Sequence, residues 1–244
     1  MSNTVHLGSP SQNQHAVEVQ QMFNRIAQRY ELMNKLMTLG QDSHWRKVVI
    51  KLAQIPQNGF ILDIGAGTGD LSREALKEHP TCTPIAADFT LGMMRNGRQH
   101  SPGSIHWCAA DATFLPFPNE FFDAVISGFL LRNVSDINIA IQEQYRVLKP
   151  GGRLVCLDTT RPKPNLLYPA ILFHLNTVIP LLGKLITGDK NAYTYLPRST
   201  QNFLTAEQLA EKLNHAQFRQ VGFQRYMFGT IAIHWGVKLY DEIK

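Results

Sequence analysis

Phe60-Ile-Leu-Asp-Ile-Gly-Ala-Gly-Thr-Gly-Asp70 runs from an apolar segment through three glycines into a helix-forming stretch. The apolar part is short and uninterrupted, as expected of a strand buried on both faces of a parallel sheet. Gly65, Gly67 and Gly69 let the backbone turn tightly and come close to a ligand, which marks a nucleotide-binding turn. The dinucleotide fingerprint G-x-G-x-x-G needs a third glycine where this chain has Asp70. An acid at that helix N-terminus repels phosphate, and together with Asp63 it suits a ligand carrying positive charge.

Working outward, strand and helix patterns alternate. After the helix Asp70–Glu78 come a strand Thr83–Ala87, a helix near Leu91–Gln99 and strands Ile105–Ala109 and Phe122–Ser127. A helix Ile137–Leu148, the turn Lys149-Pro-Gly-Gly152 and a strand Arg153–Asp158 follow. This rhythm predicts a parallel sheet with crossover helices. Thr205-x-x-Gln208 reads as a capping box, and Phe218–Phe228 and Thr230–Lys238 as two final strands.

Two further acids fall where such a sheet presents a ligand. Asp88 closes the second strand, a position that accepts hydrogen bonds from ribose hydroxyls. Asp111, in Ala110-Asp-Ala112 past the third strand, is placed to accept from an adenine amino group. Each acid alone reads equally well as a cap or turn residue. Their occurrence at successive strand ends indicates a crevice.

Ahead of the loop, Val17–Tyr30 has helical spacing at Val19, Met22, Phe23 and Ile26, and Trp45–Gln54 forms a second helix stopped by Pro56. The polar residues 1–14 are expected to be a disordered tail and 15–244 one domain, in which 15–56 form an N-terminal helical lid. Residues 161–198 break the rhythm with an apolar, proline-rich stretch read as an inserted helical cap. Leu166–Leu185 is interrupted by Pro169, His174, Asn176, Pro180 and Lys184, which a membrane-spanning helix carries poorly.

The 244 residues, 44% hydrophobic and 18% charged, suffice for a globular core without staples. Three cysteines, Cys82, Cys108 and Cys156, form no C-x-x-C pair, so no metal is expected and the thiols read as reduced and buried in a cytoplasmic protein. The net charge of +5 reads as a mixed solvated surface.

Several segments carry a family resemblance. They are Tyr30-Glu-Leu-Met-Asn34 with Leu36-Met-Thr-Leu-Gly40 and Trp45; Asp111-Ala-x-x-Leu-Pro-Phe117; Leu131-Arg-Asn-Val134; Arg146-Val-Leu-Lys-Pro-Gly-Gly152; and Tyr193-x-Tyr-Leu196. With the glycine loop they make the chain resemble class I methyltransferases and, more narrowly, the ubiquinone/menaquinone biosynthesis C-methyltransferases, from about Val19 to Lys238. The resemblance implies an α/β, Rossmann-like sheet, mostly parallel with an antiparallel final strand. It implies S-adenosyl-L-methionine as cofactor and methylation of a ring carbon of a prenylated hydroquinone, demethylmenaquinol first among them. It also implies a cytoplasmic enzyme touching the membrane surface, without a nucleic-acid partner, and it is compatible with a homo-oligomer. Thr68, Asp88, Asp111 and Ala112 match family cofactor positions. Gly128 stands where a Ser is common, Glu31 replaces an Asp, and Asp158-Thr-Thr160 stands where Glu-x-Ser is usual. Tyr30 and Asn34 are expected to close the lid over the cofactor.

For catalysis the candidates are Asp158 at a strand end, His174 in the apolar cap and Arg132, which would stabilise a developing phenolate. Tyr195 is a weaker one. Leu166, Leu167, Ile171, Leu172 and Phe173, with Leu175, Val178 and Ile179 further along, are expected to line a groove for a prenyl tail. The nearest alternative is a class I methyltransferase acting on another small aromatic or lipid acceptor, and three more distant rival readings stand beside it. A nicotinamide oxidoreductase is disfavoured by Asp70. A nucleic-acid methyltransferase would carry N/D-P-P-Y/F or a nucleophilic cysteine where Ser127-Gly-Phe-Leu-Leu-Arg-Asn133 lies. The third is a binding protein without catalysis.

Overall fold

The computed structural model describes residues 10–163, 166, 168–181 and 190–240. Seven strands form one sheet: β1 Phe60–Ile64, β2 Thr83–Asp88, β3 His106–Ala109, β4 Phe122–Gly128, β5 Leu148–Thr159, β6 Arg219–Tyr226 and β7 Ile231–Val237. Their order is β3-β2-β1-β4-β5-β7-β6. The first five are parallel, and β7 runs antiparallel to both β5 and β6. The order reverses between β1 and β4, which opens a crevice at the carboxyl ends of the strands.

Alternation along the strands builds a core on each face. Leu62, Ile64, Val125, Leu154 and Cys156 point into one cluster. Ile61, Ala124, Ile126, Val155 and Leu157 point into the other, beneath the fully buried Trp45. The covering helices obey local signals. In α6 (Ile137–Val147) the Asp136 side chain accepts from the Asn138 and Ile139 amides, and the helix Ala206–His215 carries the complete Thr205/Gln208 capping box. The Lys149–Gly152 segment, expected as a turn ahead of a strand, lies inside β5 as a bulge. The Gly151 amide there donates to the Lys238 carbonyl at 2.6 Å with Gly151 at φ +81°.

The N-terminal layer comprises α1 (Pro10–Ile26), a 3₁₀ turn Ala27–Arg29, α2 (Tyr30–Met37) and α3 (Asp42–Ala53). Residues 10–14 are therefore helical rather than part of a tail; residues 1–9 lie outside the described residues. α4 (Asp70–Glu78) and α5 (Leu91–Gln99) follow β1 and β2. In the 161–198 segment, α7 (Tyr168–Phe173) runs into a π-helical turn His174–Val178, and α8 spans Lys190–Asn202. Ile171, Leu175 and Ile179 pack there on Met22, Ile26, Met33 and Met37, so the N-terminal layer and this segment share one small core. Among the described residues no helix is long and apolar enough to cross a membrane. Residues 182–189 of the apolar stretch lie outside the described residues.

Candidate active site

The cleft at the switch point is lined by Gly65 and Gly67 of the loop, Asp88 at the end of β2 with Phe89 beyond it, Asp111 and Ala112 after β3, and Gly128 at the end of β4. Gly65 and Gly67 have φ of +68° and +57°. A Cβ on Gly65 would stand 2.7 Å from Leu130 Cδ1, so backbone alone fits there. Asp88 is buried and holds the loop shut: its Oδ2 accepts from the Gly67 amide at 2.7 Å and its Oδ1 from the Thr90 amide at 2.6 Å. Burial pushes this carboxyl up, and those amide hydrogen bonds pull it back towards the charged form. Asp111 Oδ1 accepts from the Thr113 amide and hydroxyl.

Other expected contacts are redirected. Thr68, Gly69 and Asp63 are not among the residues lining this cleft. Thr68 is buried and its carbonyl accepts from Arg73 Nη1 at 2.6 Å. Gly69, at φ +82°, lies against Trp107, 2.7 Å from where its Cβ would be. Asp70 does not wait for a cationic ligand either, since Arg46 reaches it at 3.0 Å and Arg73 pairs with it. Its charge is already matched within the protein.

Asp63 is buried, and its Oδ2 accepts from the Ser72 amide and hydroxyl at 3.0 and 2.7 Å. Its Oδ1 is buried without a partner. Desolvation raises this carboxyl to about 7. A carboxyl raised in the fold keeps its proton where the unfolded chain has lost it. Its contribution to stability therefore falls as pH rises from the ordinary carboxylate range to about 7, and the loss is complete above that. Urea unfolding at pH 5 and pH 8 should show a steeper loss for the wild type than for Asp63→Asn; equal slopes would contradict this reading.

The N-terminal layer walls one side of the cleft with Val19, Gln20, Phe23 and Tyr30. Gln20, Asn24 and Ala27 recur on one face of the N-terminal layer and clasp the start of α5. Gln20 Nε2 donates to the Phe89 carbonyl at 2.7 Å, Asn24 Oδ1 accepts from the Gly92 amide at 2.9 Å, and Asn96 Nδ2 donates to the Ala27 carbonyl at 2.9 Å. Asn24 thus caps α5 in place of its own Thr90, whose side chain makes no cap bond. A Cβ at Gly92 would fall 2.2 Å from Asn24 Oδ1, so the clasp needs glycine.

A second, mostly apolar cavity of about 370 Å³ lies beside the cleft, within the size range of small-molecule sites. Phe23, Tyr30 and Phe129 line both spaces. Asn34 lines the cavity and not the cleft, and its side chain hydrogen-bonds Tyr30, whose hydroxyl burial pushes up. Phe129 has φ +59°, an uncommon conformation for an aromatic residue and one that often accompanies a working site. Its amide is tied to the Leu157 carbonyl at 2.7 Å, and the Arg132 guanidinium lies 5.1 Å over its ring. Nothing in the spacing of residues 127–133 signals that backbone.

Arg132 and His174 line the cavity and Asp158 does not. Asp158 Oδ1 receives Arg132 Nη1 at 2.6 Å and the Thr159 amide at 2.7 Å, and its Oδ2 receives the Arg132 amide at 3.3 Å. The expected strand-end base is thus the buried counter-ion of Arg132. His174 sits at the start of the π-helical turn with Nε2 buried and unpartnered, in a class of local helix distortion frequent at functional sites. The Tyr195 hydroxyl donates to Asn133 Oδ1 at 2.8 Å. Of the expected tail-lining residues, Ile171, Leu175 and Ile179 face the cavity; Leu172 and Val178 do not line it. Leu166 and Phe173 face solvent, and Leu167 lies outside the described residues.

The profile of the ubiE/COQ5 methyltransferase family matches residues 10–238. The chain belongs to that family. The ubiquinone/menaquinone biosynthesis C-methyltransferase UbiE of Desulfotalea psychrophila is 46% identical over 221 residues, 90% of each chain. A demethylmenaquinone methyltransferase of Roseiflexus castenholzii is 40% identical over 94% of this chain and 97% of its own. Among solved structures, the [4+2]-cyclase SpnF superposes with a TM-score of 0.67 at 16% identity, covering 91% of this chain and 96% of its own. Phosphoethanolamine N-methyltransferase 2 of Haemonchus contortus gives 0.60 at 14%, covering 81% and 53%. At these identities they show a shared fold. The methyltransferase uses S-adenosylmethionine, and the cleft suits it: two glycines with positive φ, one of them without room for a side chain, a buried carboxylate at the end of β2, and no lysine or arginine among its described lining residues to favour a phosphate.

Proposed function

We propose that this enzyme methylates a ring carbon of a prenylated hydroquinone, demethylmenaquinol foremost, in quinone biosynthesis. The observation that carries the proposal is the mostly apolar cavity joined to the cofactor cleft through Phe23, Tyr30 and Phe129. An aromatic ring at that junction meets the cofactor side, and the cavity behind it takes the prenyl tail, each buried CH₂ contributing about 0.8 kcal/mol. Leu39 and Phe228 line the cavity and are 78% and 71% exposed, giving the tail an apolar rim to leave by. That rim also suits contact with a membrane surface, and three unpaired thiols suit a reducing compartment.

When bound, S-adenosylmethionine supplies a methyl group already activated by its sulfonium. The chain has then to hold the acceptor in line, a contribution of about 7–11 kcal/mol in well-oriented systems, and to make its ring carbon nucleophilic. In this proposal His174 Nε2 takes the proton of the phenolic hydroxyl, and Arg132, steadied by Asp158, stabilises the phenolate oxygen. After the carbon–carbon bond forms, the ring carbon loses its own proton and the oxygen regains one, so one proton is released per turnover. The mostly apolar walls keep water from the reacting atoms. Deleting the gene and profiling quinones tests the assignment: a demethylated naphthoquinone should accumulate. A demethylated benzoquinone would move the substrate, and an unchanged profile would overturn the proposal.

A further inference from the structure

α2 is the eight-residue helix that brings Tyr30, Asn34 and Met37 to the wall of the acceptor cavity. A helix so short is marginal in water by itself, and no side chain caps its amino end. It stays helical through what it touches. Met33 and Met37 pack in the small core beneath it. Its polar side is tied at both ends. Glu31, in the first turn, receives Arg73 Nη2 at 2.8 Å. Thr38, just past the last turn, donates to Asp42 at 3.1 Å; Asp42 pairs with Arg46, and Arg46 reaches Asp70 at 3.0 Å.

Both ties converge on the glycine loop. The guanidinium that holds Glu31 also pairs with Asp70, and its Nη1 donates to the Thr68 carbonyl at 2.6 Å and to Ser101 Oγ at 3.1 Å. Thr68 follows Gly67, which lines the cofactor cleft. We infer that Arg73 is a positioning residue: it seats α2 against the glycine loop, so that filling the cofactor cleft firms the wall of the acceptor cavity. The element with two states is α2, docked or frayed. A cofactor that fixes the loop fixes the guanidinium, and Glu31 then meets a partner already in place, which lowers the ordering cost of the helix. By linkage, an occupied acceptor cavity raises cofactor affinity by the same factor. That the cavity takes a quinol rests on the proposed function; that α2 answers to the cofactor does not.

Hydrogen exchange of the Asn34 to Met37 amides, one turn beyond Tyr30, tests this without and with saturating S-adenosylhomocysteine. In the wild type the ligand should slow exchange there about fivefold, the upper end for a partly exposed ion pair and the lower end for coupled sites. Glu31→Ala, a change at a half-exposed side chain, should lose most of that slowing, and Glu31→Asp, which keeps the carboxylate, should retain it. Calorimetry verifies that the cleft is filled in each protein. A glutamate that merely stabilised the helix would, when removed, speed exchange equally with and without ligand and leave their ratio unchanged. That unchanged ratio in Glu31→Ala, an equal loss in Glu31→Asp, or a wild type indifferent to the ligand overturns the inference. Neither an acceptor nor methyl transfer enters the measurement, so failure here leaves the proposed reaction standing, and failure of that reaction leaves this coupling standing.

Discussion

Arg132→Met is expected to lower folding stability by about 3–5 kcal/mol, because it leaves the Asp158 carboxylate buried and unpaired. Both side chains are nearly sealed from solvent, at 4% and 2% exposure, so screening does not soften the loss. The double change Arg132→Met/Asp158→Leu removes both charges together and should recover most of that stability, as apolar replacements of buried pairs often do. It should not recover turnover, since no guanidinium then faces the acceptor. Urea unfolding and single-turnover kinetics on the three proteins check this. A single variant as stable as wild type, or a double variant that turns over normally, would show that the pair does not act as described.

The second large effect falls on His174. Its replacement by Ala should reduce turnover about 10²–10⁴-fold, the usual contribution of a positioned base, while S-adenosylmethionine affinity stays unchanged. Added imidazole should restore part of the rate, because the cavity that held the ring is open to small aromatic molecules. A merely structural histidine would give no such rescue. Turnover within threefold of wild type would remove His174 from the mechanism and leave Arg132 and Tyr195 as the candidates lining the cavity.

Much of this was legible beforehand because the decisive signals are local. The glycine loop, the alternation of strand and helix, the Thr205 capping box and the acids at the ends of β2 and β3 follow from backbone requirements that short stretches state directly. What was not legible is direction. A motif tells where the chain passes, not which neighbour each side chain meets. Thr68, Gly69 and Asp63 belong to the loop yet do not line the cleft, because Arg73, Trp107 and Ser72 occupy the space beside them. Asp70 looked free for a cation only because Arg46 and Arg73 come to it from α3 and α4. Asn34 and Tyr30 share a signature, but one turn of helix carries Asn34 to the acceptor side. Phe129 escaped notice because its left-handed backbone is imposed by its ties to β5 and Arg132, which no spacing encodes.

The central claim is that one crevice presents a methyl donor to the ring carbon of a quinol held in the adjoining apolar cavity. Incubating the purified enzyme with methyl-labelled S-adenosylmethionine and reduced demethylmenaquinone, then locating the label by NMR, tests it most directly. The account predicts one labelled methyl group on the ring carbon and a fall in yield when the prenyl chain is shortened. Label on a ring oxygen, or no transfer by an enzyme that demonstrably binds the cofactor, would contradict it.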